Sequence, residues 1–190
     1  MQNPGPSHVL AAKYTLHYLK RTKHAKLTYS KQPPEMANAL YGFMDADHAG
    51  SPEDHKSVGG FVLILNGAAI TWASRKIKVV TIYSFKSEWY SASIAGCKVE
   101  VTRRLLEEIG GKQTQPTVMF EDNAARIYTA MNPHKPFGQQ RKHIDTCVFK
   151  LRKHVGNGTL ELKKICPAGN VAERLTKALP REQVEKEQLG

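Results

Sequence analysis

The sequence lacks any uninterrupted apolar run of about 18 residues, the length needed to cross a bilayer. Residues 1–6 are polar and contain two prolines, without the apolar core of a signal peptide. The only cysteines, Cys97, Cys147 and Cys166, are far apart and form no Cys-x-x-Cys pair. These absences argue against a membrane protein, a disulfide framework and a zinc finger, and they favour a cytosolic or nuclear protein over a secreted one.

Acidic residues are also scarce relative to basic ones. The 190 residues include 28 Lys and Arg but only 17 Asp and Glu, which gives a formal net charge of +11. Apolar residues make up 41% of the chain, as is usual for a folded domain that buries a core. The basic excess favours a polyanionic partner, most often a nucleic acid, although it could also serve solubility alone.

The periodicity of the sequence predicts an α/β domain. Residues 1–39 contain a basic helix, a short strand at 27–30 and a Pro-Pro break, and they form a segment that precedes the domain at 40–180. Residues 181–190 form a charged tail. Within the domain the expected order is β-β-β-α-β-α-α-β-α, with an Asn66-Gly67 hairpin turn and a last helix at 172–178. Three antiparallel strands followed by alternating helices and strands imply a mixed sheet covered by helices.

Three acidic residues occupy positions in this layout where a carboxylate is costly. Asp45 lies in the first strand, Asp122 directly follows a later strand, and Glu88 opens the helix after the hairpins. Each has a local explanation: a turn, a helix N-cap formed with Asn123, or the helix dipole. Because carboxylates that converge on one sheet repel one another, they need Lys, Arg or divalent cations as partners. Oxygen donors of this kind favour Mg²⁺ or Mn²⁺.

Six blocks in order resemble the ribonuclease H domain of copia-type LTR retrotransposon reverse transcriptases. The first two are the N-terminal segment, which resembles the connection from the polymerase, and LYGFMDADHAG, which carries an Asp-Ala-Asp motif. The remaining four are SFKSEWYSA, FEDNAARI, RKHID and NVAERLTKALP. The resemblance covers nearly the whole chain.

The resemblance implies a ribonuclease H-like fold, with a five-stranded mixed sheet and helices on both faces. It also implies a hydrolase that cuts the RNA strand of RNA–DNA hybrids during reverse transcription, using two Mg²⁺ or Mn²⁺ ions about 4 Å apart. By position, Asp45, Glu88 and Asp122 match three catalytic, metal-binding acids. Glu173 stands where the family has its fourth acid, an aspartate, and Asp145 is the alternative for that role.

The same resemblance suggests how substrate would be held. Asn123 is a candidate contact to the 2′-hydroxyl groups that distinguish RNA from DNA. Arg75 and Lys76 are candidates for gripping phosphates, as is a second basic patch at 141–153 that includes Lys142 and Arg152. His143 could take part in proton transfer or substrate binding. Trp72 and Trp89 are expected to pack in the core rather than to stack on bases.

The implied partners are the hybrid and the rest of a reverse transcriptase polyprotein, with no membrane and no small-molecule cofactor. The implied location is a cytoplasmic virus-like particle or the nucleus. Three departures from the family pattern leave alternatives open: Glu173 is one methylene longer than aspartate, Lys86 places a cation two residues before Glu88, and His48 replaces an aromatic residue. The alternatives to an active nuclease are a weakened or inactive hybrid-binding module and a structural subdomain.

Overall fold

The structure is a computed structural model that describes residues 4–34, 36–47, 57–77, 84–132 and 142–179, without the side chains of 84–88 and 142–145. In chain order its elements are α1 (Pro6–Arg21), β1 (Tyr41–Asp47), β2 (Val58–Leu65), β3 (Ala68–Lys76), α2 (Ser84–Glu108), β4 (Thr117–Glu121), α3 (Ala124–Met131), α4 (Lys142–Gly156), β5 (Leu160–Lys164), a 3₁₀ turn (Pro167–Gly169) and a C-terminal 3₁₀ helix (Val171–Leu175).

The five strands form one mixed sheet in the order β3-β2-β1-β4-β5. β1 pairs antiparallel with β2, which pairs antiparallel with β3, while β4 runs parallel to both β1 and β5. In this register Asp45 lies opposite Gly60, and Gly60 lies opposite Ser74. The central position of β1 therefore places Asp45 well inside the sheet rather than at its edge.

The hydrophobic core lies between the sheet and α2 and α4. Apolar residues recur along α2 at intervals of three and four, and its stripe includes Trp89, which is 1% exposed. A Cβ on Gly59 of β2 would lie 1.6 Å from Ser91 Oγ, so α2 can approach the sheet this closely only because residue 59 has no side chain. The apolar members of the core are Leu40, Met44, Phe61, Leu63, Trp89, Ala92, Ala95, Val99, Leu106, Met119, Ala130, Val148, Leu151, Leu160 and Leu162.

The opposite face of the sheet carries the C-terminal 3₁₀ helix. Side chains alternate along a strand, so Asp45 and its cross-strand partner Gly60 face away from Met44 and the α2 core. A Cβ on Gly60 would lie 2.7 Å from Leu175 Cβ and 3.0 Å from Thr176 Cγ2. The bare backbone at residue 60 thus lets the 3₁₀ helix lie directly beside Asp45.

The N-terminal segment contributes little to the core. None of the residues of α1 is buried, and the segment after it reaches the β2–β3 hairpin through the Tyr29 hydroxyl, which donates to Ala69 O at 3.0 Å. The predicted strand at 27–30 is wrong: its described backbone contact is Ser30 N donating to Asn66 O at 3.0 Å, and the segment joins no strand of the sheet. Residues 1–39 as a separate segment, with boundaries at 40 and 181, remain a prediction.

The predicted fold is confirmed in its main features. The five-stranded mixed sheet is present, and the Asn66–Gly67 turn connects β2 to β3 as predicted. The predicted last helix, 172–178, is instead the five-residue 3₁₀ helix, because the chain there must fit between Met44 and Gly60. No helix in the described part of the chain is long and apolar enough to cross a membrane.

Candidate active site

Asp45 is a buried carboxylate whose charge is satisfied by the C-terminal segment. It is 4% exposed, and its Oδ2 accepts a hydrogen bond from the Thr176 hydroxyl. The same oxygen lies 3.7 Å from the ammonium nitrogen of Lys177. An isolated buried carboxylate would be costly, so these two contacts are what stabilise Asp45 on an otherwise apolar strand.

Lys177 joins Asp45 to Glu173. Its Nζ donates to Glu173 Oε1 at 3.0 Å, and its side chain is 36% exposed. Partial burial acts to lower the pKa of Lys177, but the hydrogen bond to Glu173 and the charges of the nearby carboxylates, Asp122 among them, outweigh it and raise the pKa above its usual value. Three of the four predicted acids therefore act on one ammonium group.

Asp122 is placed by the end of β4. Glu121 is the last residue of that strand, and Asn123 caps α3 by accepting from Ala125 N and Arg126 N. Asp122 is half-buried between them. The structure thus bears out the N-cap alternative for Asn123, whose proposed contact to the substrate remains a prediction.

A second acid, Glu121, supports this turn, although it was not among the residues predicted for the site. It is fully buried, and its Oε2 accepts from Arg126 Nη1 at 2.5 Å while Oε1 accepts from Asn123 N at 3.0 Å. Burial raises the pKa of Glu121 to about 8, and Arg126 offsets part of this effect. The alternation along Thr117–Glu121 was the available signal, since it puts residues 117, 119 and 121 on the core face.

Asn170 anchors the segment that carries Glu173, Thr176 and Lys177. Its Nδ2 donates to Met44 O at 3.0 Å, and its Oδ1 accepts from Ala172 N at 3.2 Å. The Asn170 side chain therefore ties the start of the 3₁₀ helix to the backbone next to Asp45. Asn170, Thr176 and Lys177 all lie in the NVAERLTKALP block, but the motif assigned them no individual role, which only the tertiary contacts reveal.

Several predicted residues cannot be placed in the site. Glu88, Lys86, Lys142, His143 and Asp145 lie in helices whose backbone is described there but whose side chains are not. His48 and Arg141 lie outside the described residues altogether. Glu173 lies beside Lys177, which also contacts Asp45, and the choice between Glu173 and Asp145 as the fourth acid stays a prediction.

The acidic side chains of the site are of the chemical type that hard divalent cations prefer as ligands. Asp45, Asp122 and Glu173 offer only carboxylate oxygens, and they already share one cationic partner. Among the side chains that the structure describes, no three His, Cys, Asp or Glu residues are arranged closely enough to hold a metal ion. The cation shared by Asp45 and Glu173 in this structure is the Lys177 ammonium.

The predicted phosphate-binding residues differ in their placement. Arg75 and Lys76 are exposed at the end of β3, two strands from Asp45, which corresponds to about 10 Å. Asp45, Gly60 and Ser74 lie side by side on three neighbouring strands and face the same side of the sheet. Lys76 faces that side too, because it is two residues after Ser74 on β3. Lys150 and Lys153 of the second patch are exposed on α4.

Arg152 does not fit the second basic patch. Its guanidinium donates to the backbone oxygens Thr129 O, at 2.9 Å, and Asn132 O, at 2.8 Å. It is half-buried and holds the end of α3 against α4. The prediction that Arg152 grips phosphate is wrong, because its donors serve the chain's own carbonyls.

The two tryptophans also differ. Trp89 is buried in the α2 core, as predicted, whereas Trp72 is 55% exposed on the edge strand β3. The expectation that Trp72 packs in the core is therefore wrong. It lies in the row of Val62 and Phe43 on the face that carries Asp45.

Comparison with known proteins identifies relatives along the whole chain. The retrovirus-related Pol polyprotein from transposon TNT 1-94 of Nicotiana tabacum is 31% identical over 192 aligned positions and covers all of this chain. The Pol polyprotein from transposon RE1 of Arabidopsis thaliana is 30% identical over 181 positions and covers 95%. The chain spans only 14% and 12% of these two relatives. No family model matches it.

Solved structures agree on the fold. LC11-RNase H1, solved in complex with an RNA/DNA hybrid, superposes with a TM-score of 0.53 at 12% identity, covering 78% of this chain and 98% of that one. RNase H1 from Halobacterium salinarum gives a TM-score of 0.51, also at 12% identity and with the same coverage. These likenesses concern the fold, since the identities are low. The chain is thus a homologue of a segment of the retrovirus-related Pol polyproteins of plant transposons, and its fold is that of ribonuclease H.

Proposed function

We propose that this domain is a metal-dependent ribonuclease H, which hydrolyses the RNA strand of RNA–DNA hybrids. The observation that carries the proposal is the convergence of Asp45, Asp122 and Glu173, from three separate parts of the chain, on one cation. The ribonuclease H fold and the homology to Pol polyproteins support it. In this reading the domain works within a reverse transcriptase polyprotein inside the cell.

The acids would hold two Mg²⁺ or Mn²⁺ ions, with Asp45 at the centre and Glu88 and Asp122 beside it. Glu173 is the fourth acid in this proposal. When bound, the ions would supply activation of a water molecule and stabilisation of the leaving 3′ oxygen. Asp45 suits the central role because it is fixed from both sides, by the Thr176 hydroxyl and by the strand.

The chain's other residues would bind and orient the hybrid. Lys76 is exposed about two strands from Asp45 on the same face of the sheet, where it would contact phosphates on one side of the cleavage point. Arg75 is exposed on the opposite face of the edge strand β3, so it would contact a phosphate only around that edge. The Glu121–Arg126 pair fixes the turn at Asp122 and Asn123, and so holds that acid at the end of β4. Contacts to phosphates do not depend on base sequence, which suits an enzyme that must degrade any RNA copied into DNA.

The test is cleavage of one sequence prepared as an RNA–DNA hybrid, as double-stranded RNA and as double-stranded DNA, with label on each strand in turn. With Mg²⁺ or Mn²⁺ we expect cuts only in the RNA strand of the hybrid, and none in EDTA. Salt-sensitive binding of the hybrid without cleavage in either metal would contradict the nuclease and support an inactive binding module. If the domain neither binds nor cleaves the hybrid, the result would support a structural subdomain.

A further inference from the structure

Lys177 is the group in the site that the proposed chemistry does not use. Its ammonium lies 3.0 Å from Glu173 Oε1 and 3.7 Å from Asp45 Oδ2, so it touches two of the acids assigned to metal binding. It reaches this position because Asn170 anchors the 3₁₀ helix at Met44 and Gly60 leaves room for Leu175 and Thr176.

We infer that Lys177 is a built-in counter-ion that competes with divalent cations for Asp45 and Glu173. This inference rests on the proposed function, because it assumes that these acids bind metal. Two carboxylates held together need positive charge between them, and the ammonium supplies it from within the chain. A divalent ion that binds Asp45 Oδ2 must displace this ammonium or bind next to it, and either event weakens metal binding.

The placement of Lys177 favours competition over a purely structural ion pair. A surface pair such as Lys163–Glu161, at 3.3 Å with both side chains about half exposed, holds nothing buried. Lys177 instead contacts Asp45, whose side chain is only 5% exposed, while its own side chain remains 36% exposed. The ammonium can therefore move out to solvent when another cation takes its place, with Asp45 remaining fixed by Thr176.

Lys177 is thus a positioning residue whose effect should appear in metal affinity. Neutralising it with Lys177→Met should lower the dissociation constant for Mn²⁺ about tenfold, a size typical of coupling between two bound groups. Lys177→Arg keeps the charge and should stay close to wild type. The matched control, Lys163→Met, removes a lysine from a surface ion pair on β5 and should leave the affinity unchanged.

The experiment is calorimetric titration of the full chain with Mn²⁺ alone, without nucleic acid, on wild type and the three variants. Asp45→Asn is titrated in parallel. Thermal unfolding in EDTA and in Mg²⁺ provides a second measurement if Lys177→Met is poorly stable: its unfolding temperature should be lower than that of wild type in EDTA and should rise more on addition of Mg²⁺.

The outcomes separate this inference from the proposed function. Binding that depends on Asp45 and is tighter in Lys177→Met but not in Lys177→Arg or Lys163→Met supports it, as does binding detected only in Lys177→Met. Asp45-dependent binding of equal strength in wild type and Lys177→Met overturns the inference and leaves the metal site standing. The absence of Asp45-dependent binding in both overturns the metal site, and the inference with it.

Discussion

At the scale of single residues, the site depends on how one buried carboxylate is satisfied. Asp45 lies on a central strand, and its partners come from residues 176 and 177, more than 120 positions along the chain. Charge-assisted hydrogen bonds to buried groups are the stronger kind, and leaving such a group without its donor costs more than an average hydrogen bond contributes. Thr176 is therefore central to both the stability and the geometry of the site.

We predict that Thr176→Val destabilises the domain by about 1.5–3 kcal/mol, because Asp45 loses a hydrogen-bond donor without gaining water. Urea unfolding at pH 7 measures the change. Thr15→Val is a matched control: its hydroxyl donates to Ala11 O on the exposed helix α1, and its loss should change stability by less than about 0.5 kcal/mol. Equal effects of the two substitutions would show that the hydrogen bond from Thr176 to Asp45 stabilises the domain no more than an exposed hydrogen bond does.

The fourth acid can also be assigned at this scale. We predict that Glu173→Gln slows metal-dependent cleavage of a hybrid at least about tenfold, because it removes one charged oxygen donor beside Asp45. Asp145→Asn, the alternative, should leave the rate within about twofold of wild type. Single-turnover rates measure both, and a larger loss in Asp145→Asn would transfer the role to Asp145.

At the scale of elements, two close approaches to β2 position the site. Gly59 admits α2 from one side of the sheet, and Gly60 admits the C-terminal 3₁₀ helix from the other. Adjacent positions of a strand face opposite sides of the sheet, so Gly59 leaves room for α2 on one side and Gly60 leaves room for the 3₁₀ helix on the other. The acids of the site are therefore brought together around the Gly59–Gly60 step of β2, one from the strand beside it and one from the 3₁₀ helix.

Gly60→Ala tests this packing. The added Cβ would lie 2.7 Å from Leu175 Cβ, and we expect a loss of about 1–3 kcal/mol in the free energy of unfolding as the 3₁₀ helix shifts. Gly156→Ala, at the end of α4, is the control, since beyond its chain neighbours and its own helical turn no atom lies within 4 Å of its new Cβ. Urea unfolding compares the two variants. A wild-type stability in Gly60→Ala would mean that the 3₁₀ helix does not pack there.

The elements that were predictable from the sequence are those with strong local patterns. Short runs of apolar and β-forming residues between turn signals predicted the first three strands from Tyr41, Gly60 and Ala68, and Thr117–Glu121 was predicted with its observed bounds. The 3₁₀ helix was predicted as an ordinary helix because its shape is imposed by Asn170 and Gly60, which act through the sheet. The segment at 27–30 has strand-forming residues, but its neighbour is the β2–β3 turn rather than a strand.

The candidate site was predictable in part. Strand ends and motif order pointed to Asp45, Asp122 and Glu173, and in the structure the charges of all three act on the Lys177 ammonium. Lys177 could not be identified in the same way, because a lysine in a polar stretch has no local pattern that assigns it a role, whereas the alternation along Thr117–Glu121 did offer a signal for Glu121. Their roles follow from the register of β1 against β2 and from the packing of the C-terminal segment.

At the scale of the whole molecule, helix packing makes stability depend on pH. His154 on α4 is buried against Gly96 of α2, and burial lowers its pKa below the usual value of 6.5. Below pH 6.5 the unfolded chain takes up a proton at this residue more readily than the folded one does. Its contribution to stability is therefore present above about pH 6.5 and is lost as the pH falls through the lowered pKa.

We predict that His154 contributes a loss of stability between pH 7 and pH 5, so that over this range the free energy of unfolding of His154→Gln falls less, or rises more, than that of wild type. Glu121, whose pKa is raised to about 8, acts in the opposite sense in both proteins, so the comparison of the two isolates His154. His17→Gln, on the exposed helix α1, should keep the wild-type dependence. Urea unfolding at half-unit pH steps measures both slopes. An unchanged slope in His154→Gln would assign the pH dependence to other groups.

Asp45 is the centre of the proposed nuclease. The most direct test is single-turnover cleavage of the RNA strand of a hybrid in Mg²⁺ by wild type, Asp45→Asn and the surface control Glu161→Gln, with hybrid binding measured for each. We predict that Asp45→Asn binds the hybrid but cleaves it at least about a thousandfold more slowly, because metal stabilisation of the transition state is worth several kcal/mol. Glu161→Gln should cleave at the wild-type rate. Cleavage by Asp45→Asn at the wild-type rate would show that Asp45 is not the centre of the nuclease.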